Sequence, residues 1–173
     1  MIYIIGIIAV FLGVALDQYT KYLAIIHLKE QPIVLINGVF QLHYLENRGA
    51  AFGLLQNQLV FFIVITTITL LVITYLYIRM PQTKKFIPLR ICMISIVAGA
   101  IGNMIDRIRL RYVVDFFYFE LIDFPIFNVA DIFATVATFL LIFLFLFYYK
   151  DEDLDIVFQL LSPKRKKKQE LSE

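Results

Sequence analysis

Two aspartates of this sequence, Asp115 and Asp131, are candidates for catalytic chemistry. Asp115 lies between apolar residues on both sides, and Asp131 is followed by apolar residues and has no cationic neighbour in the sequence. Two carboxylates that share a site repel each other, so one keeps a proton while the other is ionised. The ionised member can take a proton from a water that attacks a carbonyl, and the protonated member can donate one to the carbonyl oxygen. The pattern therefore indicates peptide hydrolysis without a covalent intermediate. The dipole of a predicted helix that begins near Asp131 favours its anion and suggests that it is the ionised base.

Six further polar residues are predicted at the same depth in the membrane as the two aspartates. They are Asp17, Lys21, Asn103, Asp106, Arg107 and Asn128. Each has a structural interpretation beside a functional one, because a charge in the membrane must find a partner. The first two stand at i and i+4 and can hold the bundle as an ion pair. Asp106 and Arg107 can be a fixed pair at a helix end, and the two asparagines can join helices by hydrogen bonds. Gly99 and Gly102, one turn earlier, allow close helix approach.

The composition places these residues in a membrane protein. Of 173 residues, 61% are hydrophobic and only 17% are charged, against about 45–50% and about 25% in soluble domains. Four stretches approach the ~20 apolar residues that cross a bilayer, at 2–27, 60–78, 89–105 and 126–149. The single cysteine, Cys92, excludes an intramolecular disulfide and a cysteine-based metal site. We expect one membrane domain over 1–150 and a charged cytoplasmic tail over 151–173.

The distribution of Lys and Arg predicts the orientation of the four helices. The larger set lies in the second loop and the tail, at Arg79, Lys84, Lys85, Arg90, Lys150 and the run 164–168. A smaller set lies in the first and third loops, at Lys29, Arg48, Arg107, Arg109 and Arg111. Cytoplasmic segments carry the excess of such residues. Both termini are therefore predicted to be cytoplasmic, with the polar layer near the outer face. The terminal basic run is interpreted as an orientation signal and not as a nucleic-acid site.

The first outer loop is predicted to contain two further elements. Two β-rich runs, 32–36 and 39–45, are joined by Asn37-Gly38, the strongest short-range signal for a hairpin. The small and apolar residues of 47–58 predict a short helix along the interface. The expected fold class is an all-α membrane bundle of four helices with this outer hairpin and interfacial helix.

Five motifs in order resemble one protein family. They are L-D-Q-Y-T-K at 16–21, N-R-G-A-A-F-G at 47–53, G-A-I-G-N-M-I-D-R at 99–107, V-V-D-F at 113–116 and F-N-V-A-D at 127–131. This pattern, which covers 16–134, resembles lipoprotein signal peptidase, also called signal peptidase II. The resemblance implies an aspartyl endopeptidase of the bacterial inner membrane that removes signal peptides from prolipoproteins. It implies cleavage just before a cysteine that already carries diacylglycerol.

The resemblance also implies roles for individual residues. Asp115 and Asp131 match the family's catalytic dyad, and the hairpin and short helix match its outer cradle and lid. The residues that match those holding the dyad and the substrate backbone are Asn47, Gly53, Asn103, Arg107 and Asn128. Asp17 and Lys21 match a supporting polar pair. Ile132 stands where many relatives have Ser, which leaves one supporting hydrogen bond without its residue.

Two other function classes are open from the residues alone. A small proton-coupled transporter or channel subunit would use the same carboxylates as a relay, but it predicts polar groups spread through the depth of the membrane. A purely structural scaffold conflicts with the cost of so many polar groups near lipid. Neither a metal nor another cofactor is expected, since no His, Cys or carboxylate spacing fits a metal site. The expected partners are diacylglyceryl-prolipoproteins and membrane lipids, and the chain is expected to act as a monomer.

Overall fold

The computed structural model describes residues 1–49 and 55–161 of the chain. Four of its helices are long and apolar enough to cross a membrane. They are α1 (Ile2–His27), α2 (Leu59–Arg79), α3 (Ile87–Leu110) and α4 (Val129–Phe143), which a π-helical turn at Leu144–Tyr148 extends. A three-stranded antiparallel sheet is formed by β1 (Ile33–Ile36), β2 (Phe40–Asn47) and β3 (Val113–Tyr118), in that order. The predicted class, a membrane bundle of four helices with a small β-hairpin, is confirmed.

The two ends of the bundle differ in character. At one end the hydroxyl of Tyr3 in α1 donates to the carbonyl of Ile78 in α2, so the start of the first helix meets the end of the second. This end, which also carries the last helix α5 (Asp151–Leu161), is called the terminal face. The opposite end carries the sheet and is called the sheet face.

The hairpin forms as predicted. Gly38 has a φ of +69°, a backbone conformation that suits glycine, and the amide of Val39 donates to the carbonyl of Ile36. Every residue of β1 is exposed, including Ile33 and Ile36. Part of the predicted interfacial helix over 47–58, residues 50–54, lies outside the described part of the chain. Within that stretch, Asn47 ends β2, and 55–57 form a turn.

Two boundaries and one element differ from the sequence prediction. The third helix continues to Leu110, beyond the predicted 105, and Asp106 in this added part pairs with Lys21 of α1. The fourth helix begins at Val129 and not at the predicted 126, since Phe127 forms a β-bridge with Phe117 and Asn128 is the N-cap. The residues around Asp115 form a strand, where a loop was expected. This strand has no alternation of apolar and polar residues because its first four residues are all buried.

The segment after the fourth helix also has structure. Residues 151–161, which were assigned to a charged tail, form α5. Its Val157 is buried among the residues of the core at the terminal face, and Asp153 forms an ion pair of 2.8 Å with Lys85. That contact lowers the pKa of the Asp153 carboxyl, because the nearby ammonium group donates a hydrogen bond to its anion. The helix therefore packs against the membrane domain.

Close packing of α3 against α4 and α1 depends on glycine. A methyl group at Gly99 would collide with the backbone carbonyl oxygen of Ala130, and one at Gly102 would collide with the carboxylate of Asp17. The predicted close approach at these two glycines is confirmed.

We expect Gly99→Ala to destabilise the protein, because a backbone oxygen can move only if α4 moves with it. Overpacking of this kind costs about 1–3 kcal/mol, which corresponds to a fall of about 5 °C in the unfolding midpoint of a chain of this size. Thermal unfolding of the purified protein in detergent measures this change. Ser95→Ala on the same helix is the control, and an unchanged midpoint for Gly99→Ala would contradict the packing argument.

Candidate active site

The site lies at the sheet face, where β3 passes the start of α4. Asp115 on β3 is 1% exposed, and both of its carboxylate oxygens accept hydrogen bonds from asparagine amides. The Asn47 Nδ2 donates to Oδ2 at 2.8 Å, and the Asn128 Nδ2 donates to Oδ1 at 2.6 Å. One donor comes from the end of β2 and the other from the residue before α4. The carboxyl group is therefore fixed from two sides.

Asp131 is held by the start of its own helix. Asn128 is the N-cap of α4, and its side-chain oxygen accepts from the amide of Asp131 at 3.0 Å. In return, one carboxylate oxygen of Asp131 accepts from the amide of Asn128 at 3.1 Å, which completes a capping box. The other oxygen accepts from Asn103 Nδ2 of α3 at 2.8 Å. Asp131 is half-buried, so this carboxyl is more accessible than Asp115.

Asn128 and Asn103 join the two carboxyl groups into one network. The amide nitrogen of Asn128 that donates to Asp115 also donates to the side-chain oxygen of Asn103 at 3.1 Å. Asn103 in turn donates to Asp131. The two asparagines therefore do more than join helices, since each binds one of the aspartates. The structure brings together the two residues that the sequence singled out.

The environment of Asp115 favours its protonated form. Burial removes water that would stabilise the anion, and the negative charge of Asp131 adds repulsion, so the pKa of Asp115 rises to about 7. The amide donors of Asn47 and Asn128 lower it by a smaller amount. At neutral pH this carboxyl therefore carries a proton in a large fraction of molecules. That state is the one expected for two carboxyl groups sharing a site.

A cluster of buried charged side chains lies next to the site and fixes the helices that carry it. The ammonium group of Lys21 lies 2.9 Å from Asp17, 2.9 Å from Asp106 and 2.8 Å from the side-chain oxygen of Asn103. All three charged side chains are nearly inaccessible. Asp17 also accepts from the amide of Ala130 at 2.9 Å, in the first turn of α4. One cation on α1 thus fixes α3 and, through Asp17, the start of α4.

Two contacts extend this cluster to β3 and to a residue that the sequence analysis missed. Asp106 accepts from the backbone amide of Val114 at 3.2 Å, which fixes the strand residue next to Asp115. Gln18 Nε2 donates to Asp106 at 2.9 Å and to the carbonyl of Gly102 at 3.2 Å. Gln18 follows Asp17 directly, and the only signal for its role was its place inside the first motif of the sequence.

Arg107 does not pair with Asp106, which was one of the interpretations that the sequence left open. Asp106 pairs with Lys21, so the Asp106–Arg107 pair does not form. The guanidinium group of Arg107 lies 4.6 Å from the ring centre of Phe62 in α2, a cation–π distance. The carboxylates whose charges act on it are Asp131, Asp115 and Asp106. Arg107 therefore adds positive charge near the two aspartates.

Gly53 and Cys92, two further residues considered in the sequence analysis, are not part of this network in the described residues. Gly53 lies outside the described residues. Cys92 is buried in the core at the terminal face, away from the aspartates. Within 1–49 and 55–161, no group of three His, Cys, Asp or Glu side chains could hold a metal ion.

Comparison with known proteins gives a consistent result. A family model described as signal peptidase (SPase) II matches residues 9–147. A lipoprotein signal peptidase of Clostridium tetani is 47% identical over 79% of this chain and 88% of that relative. One of Caldanaerobacter subterraneus is 47% identical over 82% of this chain and 96% of that relative.

Two solved structures, both described as a bacterial membrane enzyme, are similar in fold. One has a TM-score of 0.73 and 30% identity and covers 94% of this chain and 92% of its own. The other has a TM-score of 0.73 and 33% identity, and it covers 83% of this chain and 94% of its own. The likeness therefore extends over the helices and the sheet together.

Proposed function

This chain belongs to the signal peptidase II family, and on that premise we propose that it is an aspartic endopeptidase with Asp115 and Asp131 as its catalytic pair. Its function is the removal of signal peptides from bacterial prolipoproteins. The observation that carries the aspartic assignment is the shared hydrogen-bond network of the two carboxyl groups, in which one is buried and the other accessible. The transporter alternative is not favoured.

The proposed reaction uses one proton held between two carboxyl groups. Asp131, as the anion, takes a proton from a water whose oxygen attacks the scissile carbonyl carbon. Asp115 donates its proton to the carbonyl oxygen, so a neutral tetrahedral intermediate forms. When the C–N bond breaks, protonated Asp131 gives its proton to the leaving nitrogen, and a hydroxyl of the intermediate returns a proton to Asp115. Both carboxyl groups end in their starting states, and no atom of the enzyme joins the substrate.

The pKa of Asp115 predicts a pH profile. Below about pH 7 this carboxyl is protonated and can act as the acid; above that pH it loses the proton. We therefore expect kcat/KM to fall with rising pH above about 7, by about tenfold per unit. The measurement is the initial rate of lipopeptide cleavage from pH 5.5 to 9 in detergent. A flat profile across pH 7–9 would contradict the assignment of Asp115 as the proton donor.

The proposed substrate is a prolipoprotein whose cysteine already carries diacylglycerol. Each methylene transferred from the bilayer into water costs about 0.8 kcal/mol, so two acyl chains cannot leave the membrane before cleavage. The substrate therefore enters from the side, and the signal peptide must unwind locally to expose the scissile bond. We propose that the sheet face is the outer side of the bacterial inner membrane, as the predicted orientation of Lys and Arg requires. Since both aspartates and their partners come from one chain, a monomer is sufficient.

The experiment that tests this function compares one lipobox peptide with and without its diacylglyceryl group. We expect the lipidated peptide to be cleaved with a kcat/KM at least about 10²-fold higher, because the lipid positions the cysteine at the site. Both peptides are presented to the purified protein in the same detergent. Equal values would leave a general membrane protease as the better description.

A further inference from the structure

The cluster of Asp17, Lys21 and Asp106 contacts the strand that carries Asp115 through one backbone hydrogen bond. Oδ2 of Asp106 accepts from the amide of Val114, the residue before Asp115, at 3.2 Å. Both partners are buried, so water does not compete for this amide. The other edge of β3 pairs with β2 at the same point. The strand is therefore held on both edges next to Asp115.

The cluster contacts the start of α4 in the same way. Oδ1 of Asp17 accepts from the amide of Ala130, the residue before Asp131, at 2.9 Å. This amide lies in the first turn of the helix, where the amides have no acceptor within the helix itself. Asp17 on α1 supplies that acceptor from outside. Asp131, like Asp115, is thus held through the backbone of the residue that precedes it.

Lys21 connects these two backbone contacts. Its ammonium group lies 2.9 Å from Oδ2 of Asp17 and 2.9 Å from Oδ2 of Asp106. Polar contacts of 2.9 to 3.2 Å therefore run without a break from the amide of Ala130, through the three charged side chains, to the amide of Val114. Charges attract each other more strongly in such a buried place than in water. The two elements that carry the aspartates are held to one common cation.

We propose that Asp17 and Asp106 are positioning residues that set the distance between the carboxyl groups of Asp115 and Asp131. This inference rests on the proposed function, because it takes those two aspartates as the catalytic pair. A purely structural cluster needs only a balance of its charges, and it has no need to bind the amide that precedes each catalytic residue. A displacement of about 1 Å in a catalytic group can cost about 10²-fold in rate, so such contacts have a kinetic consequence.

The distance between the two carboxyl groups also affects the titration of Asp115. Its pKa of about 7 results first from burial and then from the charge of Asp131. The other charged groups that act on it are Lys21 of α1 and Arg107 of α3, whereas its partner on β2, Asn47, is uncharged. Movement of β3 away from α4 would weaken the repulsion and admit water, and both changes lower the pKa of Asp115. The fall of kcat/KM at alkaline pH would then begin at a lower pH.

Two substitutions of Asp106 separate the backbone hydrogen bond from the charge. Asp106→Asn keeps an oxygen that can accept from Val114, whereas Asp106→Leu has a similar shape and no acceptor. Both remove the same charge and leave Lys21 paired with Asp17. The measurement is cleavage of a diacylglyceryl lipopeptide by each purified full-length variant from pH 5.5 to 9 in detergent. Thermal unfolding shows that each variant is folded at the assay temperature.

We expect kcat of Asp106→Leu to be about 10²-fold lower than that of Asp106→Asn. KM should agree within about twofold, because a side chain that is 3% exposed does not touch the substrate. The alkaline fall of kcat/KM should begin about one pH unit lower in Asp106→Leu, since the repulsion between the two carboxyl groups is weaker there. Asp106→Ala loses the acceptor without adding volume, so it should behave like Asp106→Leu and replaces it if that variant does not fold.

Two further comparisons complete the test. At the other contact, kcat of Asp17→Asn should exceed that of Asp17→Ala by at least about tenfold. Alanine is used there because Gly102 lies against the Asp17 carboxylate and leaves no room for leucine. The control is Asp153→Leu, which removes the ion-paired carboxylate at the terminal face and should leave kcat and the pH profile unchanged.

Equal kcat and equal pH profiles for Asp106→Asn and Asp106→Leu would overturn the positioning role of Asp106 and leave the cluster a purely structural feature. Equal kcat for the two Asp17 variants would overturn the role of Asp17. Full activity of Asp115→Asn, measured in the same assay, would instead overturn the proposed function and the positioning role with it. The failure of this inference is therefore distinguishable from the failure of the proposed function.

Discussion

Asp115→Asn and Asp131→Asn should each lower kcat by about 10³-fold or more while the protein remains folded and inserted. An amide keeps the volume of the side chain but can neither accept the proton of water nor donate one to a carbonyl oxygen, and each such role is worth about 10²–10⁴-fold. The measurement is turnover of a diacylglyceryl lipopeptide by each purified variant. Gel filtration and thermal unfolding in the same detergent check the fold.

Asp123→Asn is the matched control for both variants. Asp123 lies beyond β3, is exposed, and accepts a hydrogen bond from the Tyr118 hydroxyl at 2.7 Å. Its φ of +46° is one that asparagine also tolerates, so the substitution should leave kcat and stability unchanged. If either site variant kept its activity within about tenfold, a loss of only about 1.4 kcal/mol in barrier terms, the catalytic assignment would be wrong.

Lys21→Met should produce the second large effect, a loss of stability. Lys21 is the only cation that pairs with Asp17 and Asp106 in the described part of the chain, and its loss leaves two buried carboxylates without a counter-charge. Removing one partner of a buried ion pair costs about 3–5 kcal/mol. We expect a lower unfolding midpoint in detergent and a reduced yield of folded protein. Lys29→Met, at an exposed position after α1, should leave both unchanged.

A double variant separates the loss of charge balance from the loss of side-chain packing. The cluster of Asp17, Lys21 and Asp106 carries one net negative charge, and Lys21→Met with Asp106→Asn restores that value. The double variant should therefore be more stable than Lys21→Met alone. Equal stability of the two would indicate that packing, and not charge, explains the effect. A midpoint for Lys21→Met like that of the unchanged protein would contradict the role of the cluster.

The sequence predicted the helices, and it predicted that Asp115 and Asp131 lie near each other, for identifiable reasons. Long apolar runs leave few alternatives to a transmembrane helix, and a carboxylate without a partner in such a chain is costly unless it has a function. The capping box of Asn128 and Asp131 follows from their i, i+3 spacing at a helix start. The roles of Asn47 and Asn103, by contrast, followed from the family resemblance, since spacing alone does not reveal which residues of distant elements meet.

The elements that the sequence did not predict depend on tertiary contacts. The strand at Val113–Tyr118 is buried over its first half and pairs with residues about 70 positions away, so it lacks a local signal. α5 is short and begins with acidic residues, and its apolar side is recognisable only when the core that it covers is known. Gln18 is an uncharged residue next to Asp17, and its function in the cluster depends on a contact with Asp106 on another helix, which the sequence does not reveal.

The most direct test of the catalytic assignment is a single-turnover cleavage of a diacylglyceryl lipobox peptide in water enriched in ¹⁸O, analysed by mass spectrometry. Direct attack by water held between Asp115 and Asp131 predicts one cut, before the modified cysteine, and one ¹⁸O atom in the new carboxylate of the signal peptide in the first turnover. A cut at another bond would contradict the proposed function. An unlabelled carboxylate in the first turnover would show that an enzyme oxygen had been transferred through a covalent intermediate, and would contradict the mechanism.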